Sequence, residues 1–317
     1  MLALSASAGT AAAGERGTFT FVLENDVFYD TDRHYTNGVR IGWAGTKAGA
    51  PRWAAWVADR LPVFPTGGPV QTLYTLGQNM YTPNDITVES PPLDVRPYAG
   101  WLYGSVGLVA ERGKQLDQLE ISLGIVGPSS FAEDTQKFVH RVIDSQDPKG
   151  WHTQLGNEPA LLLSYQHSWR EAIDRPLGVL DLDLTPTAGF SLGNVFTHAS
   201  AGATLRLGND PPLDYGPPRL QPSLPGSGFF TPPGRFVWYL FAGIEARAVA
   251  RNIFLDGNTF QDSRSVNSRP LVGDAQAGFV TAWRQVRLSY THVFRTREFK
   301  GQSERDDFGA FSLSVRF

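Results

Sequence analysis

The chain has 317 residues, a net charge of −3 at neutral pH and no cysteine. With 41% hydrophobic and 19% charged residues it has the composition of a folded protein, and its weak negative charge leaves no footprint for nucleic acid. The lack of cysteine excludes disulfides, thiolate catalysis and cysteine-ligated metals.

Aromatic residues reach 12%, with 33 glycines and 22 prolines, a balance that suits short strands joined by polar turns. No run of about 18 apolar residues is present, so no membrane-spanning helix is expected. A membrane barrel remains open, because it hides its signal in alternating segments of about 10 residues.

Residues 1–16 are small and apolar and end in an Ala-x-Ala pattern at Ala11 and Ala13, so they read as the back half of a secretory signal or as a disordered leader. One domain is expected from residue 17 to 317. Its first two strands, 17–28 and 34–46, flank a stretch from Glu24 to Gly38 that holds far more carboxylates, amides and hydroxyls than a turn requires. Ten further strands are expected at 71–82, 98–111, 115–127, 158–171, 177–191, 197–208, 235–250, 271–284, 286–298 and 307–317. Several alternate cleanly, as Leu119, Ile121, Leu123 and Ile125 do against Glu120, Ser122 and Gly124. A soluble sandwich shows the same period. Three features favour a barrel in a membrane: aromatics near strand ends, polar residues on faces with no second layer to cover them, and a final strand ending on Phe317. The fold class is therefore all-β, an antiparallel up-and-down transmembrane barrel of about twelve strands. An even count puts both termini on the periplasmic side and the Glu24–Gly38 stretch at the outer rim.

Two segments read as helices between strands. Residues 51–60 form a short amphipathic one. The longer runs from Pro128 and Ser129 through Asp144, with Glu133 and Asp134 in its first turn and Pro148 and Gly150 beyond its end. Phe131, Thr135, Phe138, Val139, Val142 and Ile143 make its apolar stripe. A helix carried in an extracellular loop points to function. Residues 209–234, rich in proline and glycine, read as irregular.

Candidate chemistry gathers in two places. Gln136, His140 and Asp144 stand four residues apart on one helical face, where a histidine between an amide and a carboxylate is an oriented general base or an ordinary surface histidine. In the first hairpin, Asp26 with Glu24, Asp30 and Asp32 offers hard oxygens suited to Ca²⁺ or forms a solvated loop. Asn25 and Asp26 are adjacent, so both serve one site only if the strand is irregular there. Thr36 opens the second strand beside them. No Gly-x-Ser-x-Gly elbow, metalloprotease histidine pair or phosphate-binding glycine loop is present.

The order of Glu24-Asn25-Asp26, His34-Tyr35-Thr36-Asn37-Gly38, Gln78-Asn79-Met80-Tyr81-Thr82-Pro83, Gly127-Pro128, Gln136, His140-Arg141-Val142-Ile143, Trp151 and Leu207-Gly208-Asn209-Asp210 resembles the lipid A 3′-O-deacylases of Gram-negative outer membranes. The resemblance covers nearly the whole chain from residue 17. It implies a twelve-stranded outer-membrane barrel and Ca²⁺-dependent hydrolysis of the ester holding the 3′ acyloxyacyl chain of lipid A. His140 is then the base, with Asp26 on the metal, Asn25 and Thr36 around the carbonyl, and Gln136 beside the imidazole. A lysine that the family carries just after the Tyr-x-Pro element has no counterpart among residues 84–95, and Arg96 is the nearest cation for the substrate. The expected partner is lipopolysaccharide in the outer leaflet, met by a monomer. A phospholipase-type esterase and an inactive barrel or channel are the competing readings.

Overall fold

In the computed structural model, residues 17–25, 34–46, 50–61, 64, 70–209, 211, 214, 216–217 and 230–317 are described, with backbone only at 34–36. The strands are β1 (Thr18–Asn25), β2 (His34–Ala44), β3 (Val70–Thr82), β4 (Ala99–Arg112), β5 (Gln115–Val126), β6 (Glu158–Trp169), β7 (Ile173–Leu177), β8 (Leu180–Gly193), β9 (Phe196–Asn209), β10 (Val237–Asn252), β11 (Leu271–Trp283), β12 (Val286–Arg295) and β13 (Asp306–Arg316). Each pairs antiparallel with its neighbours in sequence, except that β6 and β7 do not pair with each other. β1 closes on β13 and β6 on β8, so twelve strands form a ring. β7 stands outside it, pairing only with Leu180–Leu184 of β8 through a turn at Gly178, whose φ of 75° is left-handed. This hairpin is absent from the expected elements, where 177–191 is a single strand. β7 is short, wholly exposed and carries Pro176, which only an edge strand tolerates.

The register sorts the residues into two walls. Facing the lumen are Thr20, Ser314, Ser289, Ser312, Thr75, Ser105, Ser122, Ser164 and Ser191, whose hydroxyls pair across neighbouring strands, as Thr75 does with Ser105 at 2.8 Å. Lumen charges are partnered as well: Arg247 and Arg295 share Asp274 at 2.9 and 2.8 Å, and Arg206 meets Asp183 at 2.9 Å. Buried charge survives only when paired in this way. On the other wall Ile41, Leu76, Ile121, Leu123, Leu205, Leu240, Ile244 and Phe279 lie exposed, an outward apolar band of the kind that meets lipid.

Both ends of the lumen are filled. At the end away from the termini, Tyr81, Trp101, Tyr103, Phe196, Phe254 and Phe308 form an aromatic layer, with Trp101 and Tyr103 stacked at 4.0 Å. At the end with the termini, the long connection from β9 to β10 reaches inward. Its Asp214 is fully buried and accepts from Arg206 at 2.7 Å, Arg287 at 3.0 Å and the Tyr239 hydroxyl at 3.0 Å. Phe230 lies under the Arg287 guanidinium at 5.0 Å.

The other long connection on that side carries α1 (Arg52–Ala58), the expected short helix. Its Ala54 and Ala58, with Phe64, pack on Val70, Leu108 and Ala110, which belong to the outward wall. The helix therefore sits outside the ring. Two excursions on the terminal side, one outward and one into the lumen, account for connections longer than barrel turns need.

Candidate functional site

On the distal rim the connection from β5 to β6 makes a 3-10 turn, Pro128–Ser130, and then α2 (Ala132–Ile143). The expected start at Pro128 is thus split by Phe131, whose φ of 57° is left-handed and redirects the chain. The helix lies flat on the outer wall over β3 and β4. A Cβ on Gly100 would stand 2.1 Å from the Ser130 hydroxyl and 2.3 Å from the Ala132 methyl, so only glycine admits this approach. Gln78 donates to the Ser130 carbonyl at 2.6 Å, and Met80, Tyr98, Ala132 and Trp151 make a small apolar cluster beneath the helix.

The helix is seated the opposite way round from its sequence pattern. Phe131, Phe138, Val142 and Ile143 of the expected stripe are exposed, at 59%, 61%, 68% and 49%, while the face turned to the barrel holds Ala132, Gln136 and His140. In water this would be inverted packing. On the outer wall of a membrane barrel the apolar stripe meets lipid, and the polar face is closed off against protein.

His140 is buried, and its Nδ1 donates to the carbonyl of Gln146 at 2.5 Å. A carbonyl only accepts, so Nδ1 carries the proton and Nε2 holds the basic lone pair. Asp144, the carboxylate expected beside the ring, instead terminates the helix in a left-handed conformation and is exposed. Gln136 is not what fixes the imidazole. Its Oε1 accepts from Trp151 Nε1 at 2.6 Å, which turns its Nε2 away as a donor, buried and without a partner. Trp151 is held in turn by the Tyr98 ring at 5.0 Å, and Tyr98 by the Ile86 carbonyl at 3.2 Å.

Asn25 ends β1 on the outward wall, with Asn37 of β2 opposite it; Asn37 pairs onward with Met80 of β3, which touches the helix cluster. Asn25 and Met80 are two strand spacings apart, roughly 10 Å. The amide carbonyl of Asn37 is buried with no hydrogen-bond partner, a hard oxygen facing the same wall. Sequence reasoning left Asn37 out of the site, although its place opposite Asn25 follows from the hairpin register. The irregularity expected between Asn25 and Asp26 falls outside the described residues; β1 is regular through Asn25, and a separate slip of register on β2 between Tyr35 and Asn37 makes Thr36 the extra residue of a bulge. The Thr36 side chain and Asp26, like Asp30 and Asp32, lie outside the described residues. Among the described residues no three carboxylate or imidazole groups cluster as a metal site.

Arg96 does not serve as expected. It is fully buried inside the barrel mouth, bound to Glu298 at 2.5 Å and lying over the Tyr81 and Phe299 rings at 5.6 and 5.9 Å. A buried guanidinium requires a carboxylate, and Glu298 supplies it from the β12–β13 loop. Burial works against the Glu298 charge, but Arg96 and Arg295 outweigh it and hold the carboxyl below its usual range. The pair braces the rim from inside the ring, whereas α2 lies on the outer wall.

The family model described as outer membrane protein LpxR matches residues 1–317. Among solved structures, LpxR from Salmonella typhimurium superposes with a TM-score of 0.74 at 18% sequence identity, over 95% of this chain and 100% of that one. The β domain of the Bordetella autotransporter Brka gives 0.45 at 9% identity, over 96% and 98%. A comparison with curated protein sequences returns no match. At such identities the structural likeness speaks to the fold alone.

Proposed function

The chain belongs to the LpxR family of outer-membrane proteins, and from that premise we propose that it is a hydrolase that cleaves the ester of the 3′ acyloxyacyl chain of lipid A. The observation that carries this reading is His140, a buried imidazole whose Nδ1 proton is held by the Gln146 carbonyl, which makes Nε2 the basic nitrogen, on a helix whose apolar side is turned away from the barrel. A base in that position serves a substrate that arrives within the membrane, and the outer leaflet is where lipid A resides.

In the proposed reaction Nε2 of His140 takes a proton from water as its oxygen adds to the ester carbonyl. The tetrahedral intermediate then collapses. The bond to the sugar oxygen breaks, the imidazolium returns its proton to that oxygen, and a free hydroxyl and a fatty acid leave. Gln136 Nε2, Asn25 and Thr36 supply donors for the carbonyl oxygen as it gains charge. A divalent cation suits the hairpin: the unpartnered Asn37 carbonyl and the Asp26 carboxylate are hard oxygens of the kind Ca²⁺ takes. When bound, Ca²⁺ supplies positive charge at the ester carbonyl.

Mass spectra of lipid A from cells expressing the wild type and His140→Ala test the reading. The wild type is expected to strip the 3′ chains, and the variant to lose at least a hundredfold of that activity while keeping its heat-modifiable mobility on gels. Equal stripping by both removes His140 from the chemistry. In membranes treated with excess chelator, activity is expected to stop and to return with added Ca²⁺; unchanged activity rules out the metal.

A further inference from the structure

The tryptophans are distributed unevenly. Trp101 and Trp151 are buried near the distal rim, while Trp43, Trp53, Trp56, Trp169, Trp238 and Trp283 all lie at the rim that carries the termini. The strand tryptophans among these six point outward, and Trp43 stacks on the terminal Phe317 at 6.1 Å. Trp53 and Trp56 belong to α1, whose buried side covers Leu108 and Ala110, the last outward rows of β4.

The same level holds an independent depth marker. Asp117, the outward neighbour of Ala110, accepts from the Tyr165 hydroxyl and from His167 Nδ1, both at 2.6 Å. A carboxylate–imidazole pair facing outward is costly in hydrocarbon and at ease among headgroups. The row covered by α1 is therefore the headgroup row. On its free side α1 shows Trp53 and Trp56, 43% and 57% exposed, and the exposed cation Arg52. Arg60 lies over the Trp56 ring at 4.0 Å and donates to the Trp56 carbonyl, a posture repeated across the barrel by Arg284 over Trp283 at 4.9 Å. An indole seated at the interface with a guanidinium held on it is suited to a phosphate.

We propose that α1 is an interfacial helix that binds phospholipid headgroups of the periplasmic leaflet, with Trp53 and Trp56 among the glycerol backbones and Arg52 and Arg60 on the phosphates. The site continues the lipid-facing wall, and its aromatic and cationic chemistry is that of the leaflet beside it. It is separate from α2 on the distal rim and independent of the activity assigned there.

The chain has no cysteine, so one spin label can be placed without background. Ala55→Cys on the free side of α1 and Val179→Cys in the β7–β8 turn, 89% exposed, are labelled in protein reconstituted into vesicles of phosphatidylethanolamine and phosphatidylglycerol. Expected is a label at 55 that oxygen reaches more readily than an aqueous nickel chelate, against the reverse at 179. Native mass spectrometry of full-length protein is expected to show at least a twofold loss of retained phospholipid in Arg52→Gln/Arg60→Gln, with heat-modifiable mobility unchanged. Equal chelate access at 55 and 179 overturns the proposal and leaves α1 to water or a periplasmic protein. Unchanged phospholipid retention overturns the headgroup contact.

Discussion

Gln136 shows how much one hydrogen bond can decide. An amide has two ends that differ in chemistry, and the Trp151 indole N–H can only bond the oxygen. The nitrogen is thereby committed as a donor on the face shared with His140. Trp151→Phe keeps the ring against Tyr98 and removes that constraint. For a bond worth about 1 kcal/mol, kcat is expected to fall roughly fivefold with KM nearly unchanged. Single-turnover assays on lipid A in mixed micelles check this, and an unaltered kcat would show that the amide needs no such tether. The spacing of Gln136 and His140 was readable from the sequence because helices repeat every 3.6 residues. Their partners were not. Trp151 and the Gln146 carbonyl come from the irregular chain after α2, where no period indicates what meets what. Asn37 was within reach, because antiparallel register places it across from Asn25 once the hairpin ends are fixed.

At the scale of the element, α2 separates two questions that a hydrophobic pattern merges. Periodicity identified the helix and its apolar stripe. It could not identify the medium that the stripe touches, since lipid and a protein core reward the same residues. The seat is fixed from β4, at Gly100, where the Ser130 and Ala132 side chains occupy the space a Cβ would need. Gly100→Ala is expected to lift α2 from the wall and cut the proposed deacylation at least tenfold, with the barrel retained, because Gly100 faces out of the ring. Activity and gel mobility measured on the same preparation decide it; full activity would mean the helix accommodates the methyl. β7 illustrates the opposite limit, since a five-residue edge strand containing proline leaves no alternation to detect.

At the scale of the whole molecule, the twelve-strand ring was legible because several ring strands repeat a two-residue alternation of lumen and lipid. The lumen seal was not. Asp214 lies in a stretch rich in proline and glycine that reads as irregular, yet its carboxylate joins β9, β10 and β12 through Arg206, Tyr239 and Arg287. Asp214→Ala removes the buried carboxylate shared by two guanidiniums and a phenol, leaving Arg206 with Asp183 as its carboxylate. A loss of about 3–5 kcal/mol is expected, seen as a lower temperature for the heat-modifiable transition; an unmoved transition would show that the lumen hydrates freely. The seat of α2 on the outer wall, with His140 on its barrel-facing side, has a consequence of another kind. Under the proposed function the substrate is itself a membrane lipid, which reaches such a helix by sliding in two dimensions without passing through solution. Its effective concentration is then a mole fraction of the leaflet, set by membrane composition and by crowding among neighbouring lipids. A Michaelis constant for such a site belongs in those units, and a competitive inhibitor must partition into the membrane before it can compete.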